Sequence, residues 1–419
     1  MSEESYLSDD FIRQLVSVGN VDILVAISSC NDAKTIGSVV RAAEECLLRN
    51  FRRQRTVLVN VDAGSRDGTL QAVREASSLG GVNEVESLRT LRWITTNSGS
   101  GAGEGTILRT ILTAADLLHA RGCAVVSASI ENLAPAWLAS LLAPVFNESY
   151  DFVAPLYSRH KYDGLLTRYL LYPLSRSLYG KPMRELRASE FAFSGGLASY
   201  SLTRAEWHKE GVQAGAEMWM AITAMSNAFQ CCQTHLGPKP RSASGGGVVD
   251  AIHRTVSGFF WCLESTDAYW LKGVEPESLT TVGPDHELTS ESIRVDRKRL
   301  FQMYRTGVGE LSQILKSILD PETHAELIRL AAQDENSFRL PDALWVRTIY
   351  EFAAAYHHSV IHRDHLVQAF IPIYRGKVYS FLMENRPGNS ESMEAALEDL
   401  CQEFGRQRSF LIERWSTKG

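Results

Sequence analysis

From Asp22 to Pro155 the chain alternates short apolar runs, polar turns and helical segments, and this constrains its fold more than any other feature. Asp22-Ile-Leu-Val-Ala-Ile27 reads as a buried strand, and the polar turn Ser28-Ser-Cys-Asn-Asp32 follows it. Over Ala33 to Arg49, residues Ile36, Val39, Val40, Ala43, Cys46 and Leu47 share one face of a helix. Thr56 to Val61 is a second strand, and the turn Asp62 to Thr69 runs into a helix through Ala76. Leu91 to Thr96 is a third strand, after which glycine-rich Ser98 to Gly105 leads into a helix ending near Arg121. Ala124 to Ala128 and Asp151 to Pro155 are the fourth and fifth strands. Strands apolar on both faces and separated by helices predict a mainly parallel, doubly wound α/β sheet. Such sheets bind ligands where strands end and loops begin. The polar turns Ser28–Asp32, Asp62–Gly68, Ser98–Gly105 and Ser127–Asn132 all fall at such ends.

Residues 156–245 are aromatic-rich and irregular, with a helix expected over Leu165 to Tyr179 that Pro173 should kink or break. Ser242 to Gly247 reads as a flexible loop. Beyond Asp285 only helical patterns remain, such as Val295–Leu319, Ala343–His358 and Met393–Trp415, punctuated by Pro284, Pro341 and Pro387. The expected division is a polar N-terminal segment (1–19), an α/β domain (20–283) and a helical region (284–419). Lys and Arg number 43 against 49 Asp and Glu, an acidic balance that argues against a general nucleic-acid binder. No apolar run approaches the roughly 18 residues of a membrane span. The acidic start MSEESYLSDD lacks the marks of a signal peptide, so a cytoplasmic protein is expected. Seven cysteines, an odd count without a C-x-x-C, predict reduced, mostly buried thiols.

The segment ILVAISSCNDAKTIGSVVRA followed by TVLVNVDAGSRDGT resembles the start of a GT-A nucleotide-sugar glycosyltransferase. The resemblance is to retaining glucosylglycerate and glucosyl-3-phosphoglycerate synthases and the related mannosylglycerate synthases. It continues through SRHKYDGLLTRYLLYPLSRSLYGKPMR, GAEMWMAITAMSNAFQCCQTHLGPK, DALWVRTIYEFAAAYH and FIPIYRGKVYSFLME, and so spans roughly residues 20–385. It implies transfer of a hexose from a nucleotide sugar to a small hydroxyl acceptor, glycerate-like, with the nucleotide over the first two strand ends near Ser28. In the D-G-G-S-x-D-G-T turn, here Asp62-Ala-Gly-Ser-Arg-Asp-Gly-Thr69, Asp62 would accept a hydrogen bond from the base. The bland alternative is that Asp62 holds the turn and Asp67 caps the next helix.

The departures from this pattern concentrate on phosphate handling. The family's Asp-x-Asp, which holds Mg²⁺ or Mn²⁺, corresponds to Ser127-Ala-Ser129 here, and hydroxyls do not replace two carboxylates. Glu131 could serve from two residues on, although a solvated or helix-capping role competes. The family's metal-binding histidine corresponds to Arg241, two residues after Lys239. No metal cofactor is therefore expected, with Arg241, Lys239 and loop amides standing in for the cation. The family's G-K-G appears as Gly103-Glu104-Gly105, where the glycines suit an anion and Glu104 opposes one. A flexible turn is the alternative for that loop.

In the acceptor segment, Ala188 to Gly195 contains Glu190 and Ser194, and the family's aspartate before Ile-Trp becomes Glu217. The resemblance implies that Glu190 and Glu217 position the acceptor hydroxyl, with structural salt bridges as the alternative. Arg159, Lys161 and Tyr162 could bind an anionic acceptor or a donor phosphate, or form a solvated loop. His358, His362 and His365 are expected on one face of one helix that also carries His357, without an accompanying H-E-x-x-H. Cys231–Cys232 and the Phe259–Trp261 run read as packing. A homodimer through the C-terminal helices is a further expectation. The competing functional class is a pseudoglycosyltransferase that keeps the scaffold as a binding, regulatory or assembly subunit.

Overall fold

The computed structural model describes residues 7–78, 91–98, 103–160, 162–208, 210–239, 247–283, 296–385 and 390–417. The chain forms two compact units. The first comprises Met1–Ser158, Glu185–Gly245 and Leu279–Leu288; the second comprises Arg159–Arg184, Gly246–Ser278 and Thr289–Gly419.

The first unit is built on a sheet of β1 (Ile23–Ser29), β2 (Thr56–Asp62), β3 (Leu91–Asn97), β4 (Gly122–Ser127), β5 (Phe152–Ser158), β6 (Phe191–Ser194), β7 (Cys231–Pro238) and β8 (Thr280–Val282). Their spatial order is β3-β2-β1-β4-β6-β5-β7-β8. β6 runs antiparallel to both neighbours and every other pairing is parallel, so the expected mainly parallel α/β sheet is present. Among the described residues, the α-helices of this unit are α1 (Asp9–Val18), α2 (Ile36–Asn50), α3 (Thr69–Ser78), α4 (Glu104–Leu117), α5 (Pro135–Asn147), α6 (Gly195–Leu202), α7 (Glu210–Ala214) and α8 (Ala216–Ser226). Successive strand residues face opposite layers. Ile23, Val25 and Ile27 join the core formed with α2, α3 and α5. Leu24 and Ala26 are as fully buried on the other face, where α4 packs. Because the chain passes from β1 to β2 on one side and from β3 across to β4 on the other, the strand order switches direction between β1 and β4. That switch point is where open α/β sheets bind ligands.

The second unit is helical and includes Tyr172–Tyr179, Val248–Ser265, Arg297–Glu310, Asp342–His357, Arg363–Glu384 and Ser390–Arg406. Pro173 does not break its helix. Residues Thr167–Leu171 widen into a π turn just before it. The carbonyl of Tyr169, which the missing proline N–H would leave without a partner, accepts from the Trp345 indole at 2.9 Å. The expected single helix carrying four histidines is corrected: one helix ends at His357 and the next begins at Arg363, with His358 and His362 in the break. His357 instead stacks on Trp415, and His358 Nε2 hydrogen-bonds the Arg414 carbonyl. The seven cysteines are free thiols, all buried except Cys30. No described helix is long and apolar enough to cross a membrane.

Candidate functional site

The turns after β1 and β2 are tied to each other by polar side chains. Asn31 N–H donates to Ser65 Oγ, Asp32 N–H to Thr69 Oγ1, and Ala33 N–H to an Asp67 carboxylate oxygen. Asp67 also accepts from the Thr69 hydroxyl and from Thr69 N–H at the start of α3; the hydroxyl foremost, with the Ala33 and Thr69 N–H groups, holds its carboxyl below the usual range. Asp62 is fully buried at the end of β2. Its Oδ1 accepts from the Ser29 and Ser65 hydroxyls at 3.0 and 2.6 Å, and its Oδ2 from Gly64 and Ser65 N–H at 2.9 and 2.8 Å. Four donors on one carboxylate make it the anchor of this turn.

Across the switch point, Ser28 at the end of β1 pairs in register with Ser127 at the end of β4. The Ser127 and Ser129 hydroxyls are hydrogen-bonded to each other at 2.8 Å. Two neutral hydroxyls already engaged with one another do not fit Mg²⁺ or Mn²⁺, which need hard anionic oxygens. Glu131 is exposed beyond this turn. No cluster of three or more potential metal ligands occurs among the described residues.

The glycines at the start of α4 serve close packing. Gly103 is the N-cap, and a Cβ on Gly103 or Gly105 would lie 2.6 or 2.8 Å from the Gln213 amide. That amide occupies the helix start: Gln213 Oε1 accepts from Thr106 N–H at 3.2 Å and from its hydroxyl at 3.1 Å, while Nε2 donates to the Trp207 carbonyl. A side-chain carbonyl thus sits where an anion would meet the helix N-terminus.

Glu104, in the first turn of α4, accepts from Arg187 at 3.1 Å. Beside it lies Glu217, the lone ionisable residue of α8, whose Ala216 and Met218–Met225 are all buried. Glu217 retains some accessible surface because it lines a cavity, yet its Oε2 is sealed from solvent and has no protein hydrogen-bond partner. Burial raises its carboxyl to about 8; Glu104 pushes the same way and Arg187 opposes both. The cavity has a volume of about 70 Å³. Ser28, Glu104, Ser189 and Glu217 form its polar wall, and Ile107, Leu108, Ile111, Val125, Phe191 and Ala216 its apolar one.

Glu190 is buried just ahead of β6 and accepts from the hydroxyls of Tyr157 and Ser189. Lys239, immediately after β7, places its ammonium 5.3 Å from the centre of the Tyr157 ring. The first unit therefore brings Ser28, Glu190 and Glu217 to one edge of the sheet, with Ser127 and Ser129 beside Ser28 and Lys239 beside Tyr157. It does not bring Ser194 there. Because β6 is antiparallel, Ser194 pairs with Gly122 at the start of β4, at the opposite edge. Its Oγ caps α6 through Leu197 N–H and donates to Asp151 at 2.7 Å, so an acceptor role gives way to a helix cap.

Arg159 and Tyr162 belong to the second unit. Arg159 is buried and ion-paired with Asp163 at 2.8 Å, and Tyr162 packs edge-on against His160 and Phe381. Arg241, Lys161 and residues 99–102 of the glycine-rich loop lie outside the described residues. Arg187, Ser189, Tyr157 and Gln213 were not anticipated. The signal available for the pair around Glu217 was an isolated carboxylate in an otherwise apolar helix; Gln213 offered none.

No family model matches this chain, and no curated protein matches it. Among solved structures, glucosyl-3-phosphoglycerate synthase from Mycobacterium tuberculosis in complex with Mg²⁺ and uridine diphosphate is 17% identical. That match covers 61% of this chain and 83% of the other, with a TM-score of 0.44. The same enzyme in complex with phosphoglyceric acid is 16% identical over 61% of this chain and 84% of its own, with a TM-score of 0.42. Superpositions this loose do not fix residue correspondences.

Proposed function

We propose that this chain is a GT-A-type retaining glycosyltransferase that moves a hexose from a nucleotide sugar to a small, glycerate-like hydroxyl acceptor without a metal ion. The supporting observation is convergence. The segments carrying the sequence resemblance put Ser28, Asp62, Ser127, Glu190 and Glu217 at the strand ends around the β1/β4 switch point, where such sheets bind ligands. In this reading the bond between the sugar carbon and the diphosphate oxygen breaks, the acceptor oxygen bonds that carbon, and the acceptor proton leaves on the departing phosphate. Glu190 and Glu217 orient the acceptor hydroxyl, Ser28, Ser127 and Ser129 contact the donor, and Lys239 and Arg241 balance the diphosphate charge.

That charge develops chiefly in the transition state, so a preorganised cation acts on turnover more than on binding. The test is nucleotide release from a panel of nucleotide sugars and glycerate-like acceptors. Turnover unaffected by EDTA and lowered about a hundredfold in Arg241→Ala supports the reading. EDTA-sensitive turnover overturns metal independence. A second reading, a binding subunit without transfer, is favoured by Gln213 at the start of α4 and by Glu104 in its first turn. A folded protein that binds nucleotide yet releases none with any pair supports that alternative.

A further inference from the structure

The second unit holds a cleft of its own, with a volume of about 700 Å³. Small-molecule sites typically measure roughly 300–1,000 Å³. Helices Ser312–Ile318, Asp342–His357 and Arg408–Ser416 supply its walls, together with the break after His357. Ile318, Ala354, Ala355, Val360 and Phe410 give it an apolar lining, and Val360 is left 47% exposed.

The polar groups of this lining are unequally spent. The Ser317 and Thr417 hydroxyls donate to the carbonyls of Ile314 and Glu413. Glu351 is buried and accepts from the Thr323 hydroxyl at 2.9 Å, from Arg347 Nε at 3.3 Å and from Asp320 N–H at 3.3 Å. Burial pushes its carboxyl up to about 7, against the pull of Thr323 and Arg347. Arg414 is the reverse. Its guanidinium donates one N–H to Asp320, which also takes Arg347 at 3.2 Å. A guanidinium has five N–H groups, so four remain without a protein acceptor. Burial lowers the Arg414 pKa, which marks a charge short of water.

That guanidinium is also held in place. The Asp320 ion pair fixes one edge, and the Phe410 ring centre lies 5.2 Å from its carbon. His358 Nε2 donates to the Arg414 carbonyl at 2.9 Å and pins the backbone at the same point. A fixed fork of donors suits a carboxylate, and the apolar wall beside it suits a hydrocarbon body. Glu413, the remaining carboxylate of the lining, is exposed, where water and salt screen it. An inorganic anion would leave the apolar wall unused, and an amine would meet Arg414.

We propose that this cleft binds a small organic acid, with its carboxylate on Arg414 and its apolar body against Ile318, Val360 and Phe410. The assignment does not depend on the transferase reading, because its residues all belong to the second unit and binding needs no nucleotide sugar.

Phenylacetate, 2-phenylethanol and phenethylamine carry one ring on a carboxylate, a hydroxyl and an ammonium, so they are the probes. Inorganic phosphate serves as an anion without an apolar body. Each is titrated calorimetrically into the full chain at neutral pH and low salt. Phenylacetate is expected to bind one-to-one, about tenfold or more tighter than any of the other three. Arg414→Gln should weaken phenylacetate about tenfold or more and leave 2-phenylethanol unchanged. Val360→Glu sets a carboxylate in the wall at an exposed position, away from the packed core, and should also weaken phenylacetate about tenfold or more. Undetectable phenylacetate binding, equal affinity for 2-phenylethanol, tighter binding of phenethylamine or phosphate, or phenylacetate binding that survives Val360→Glu overturns the proposal. Survival would place the acid at another site, such as the acceptor position of the first unit, and would leave the transferase reading standing. Arg414 also holds Asp320, so if Arg414→Gln fails to fold, Val360→Glu and the wild-type series decide the matter.

Discussion

Glu217→Gln should stabilise the first unit, increasingly so as pH rises. In the unfolded chain this carboxyl titrates near 4.5, whereas in the fold burial and Glu104 raise it to about 8. A group raised in the folded state contributes its full stability below the unfolded value. It loses that contribution as pH climbs through the folded one. With about 1.36 kcal/mol per pH unit, native protection should drop by at most about 3 kcal/mol between pH 5.5 and 8. Water drawn into the cavity on ionisation would take back part of that, so a drop of about 1–3 kcal/mol is expected. Glutamine keeps the shape, cannot ionise, and can donate its amide to Glu104. The assay is hydrogen exchange of the peptide spanning α8, corrected for intrinsic rates, at pH 5.5, 7 and 8. This local readout avoids assuming one unfolding transition for a chain with two compact units. Wild-type protection should fall across the series while the variant stays level. Parallel profiles for the two proteins would refute a buried, proton-holding Glu217.

Gly105→Ala should destabilise the first unit by about 1–3 kcal/mol, because the new Cβ would meet Gln213 Nε2 at 2.8 Å and the Val212 carbonyl at 3.0 Å. Thermal unfolding checks this, and an unchanged midpoint would mean that Gln213 swings away freely. Ser194→Ala should cost about 1 kcal/mol from the lost cap of α6 and leave ligand affinities unchanged, since Ser194 lies at the far edge of the sheet. A selective loss of binding with stability intact would return Ser194 to the site.

The parallel part of the sheet was legible because each buried strand declares itself as an apolar run followed by a polar turn, and Ile23–Ser29 and Thr56–Asp62 match that pattern closely. β8 was not: three residues, Thr280–Val282, largely exposed, carry no such signal. Helical stretches were legible, but their interruptions were not. The break between His357 and Arg363 joins two segments whose apolar residues continue on either side, so a single helix was expected. At the site, side-chain types pointed to the correct sheet edge, while roles depended on partners distant in sequence. Gly103 and Gly105 suit a phosphate loop on paper, yet they make room for Gln213, more than a hundred residues on. Ser194 sits four residues after Glu190, and one short antiparallel strand carries it to the other end of the sheet.

The carboxyl of Glu217 ties nucleotide binding at the strand ends to pH. While it holds its proton it adds no charge toward a neighbouring diphosphate; once the proton leaves, one more negative charge stands there. At an effective dielectric of about 20, that charge acts on another about 5 Å away with about 3 kcal/mol, roughly a hundredfold in an equilibrium constant. Nucleotide affinity should therefore decline as pH passes about 8. Glu217→Gln must flatten that decline. If nucleotide binding kept its pH dependence in that variant, the diphosphate would lie beyond the reach of Glu217, and the acceptor-orienting role given to this carboxyl would have to be carried by Glu190 alone.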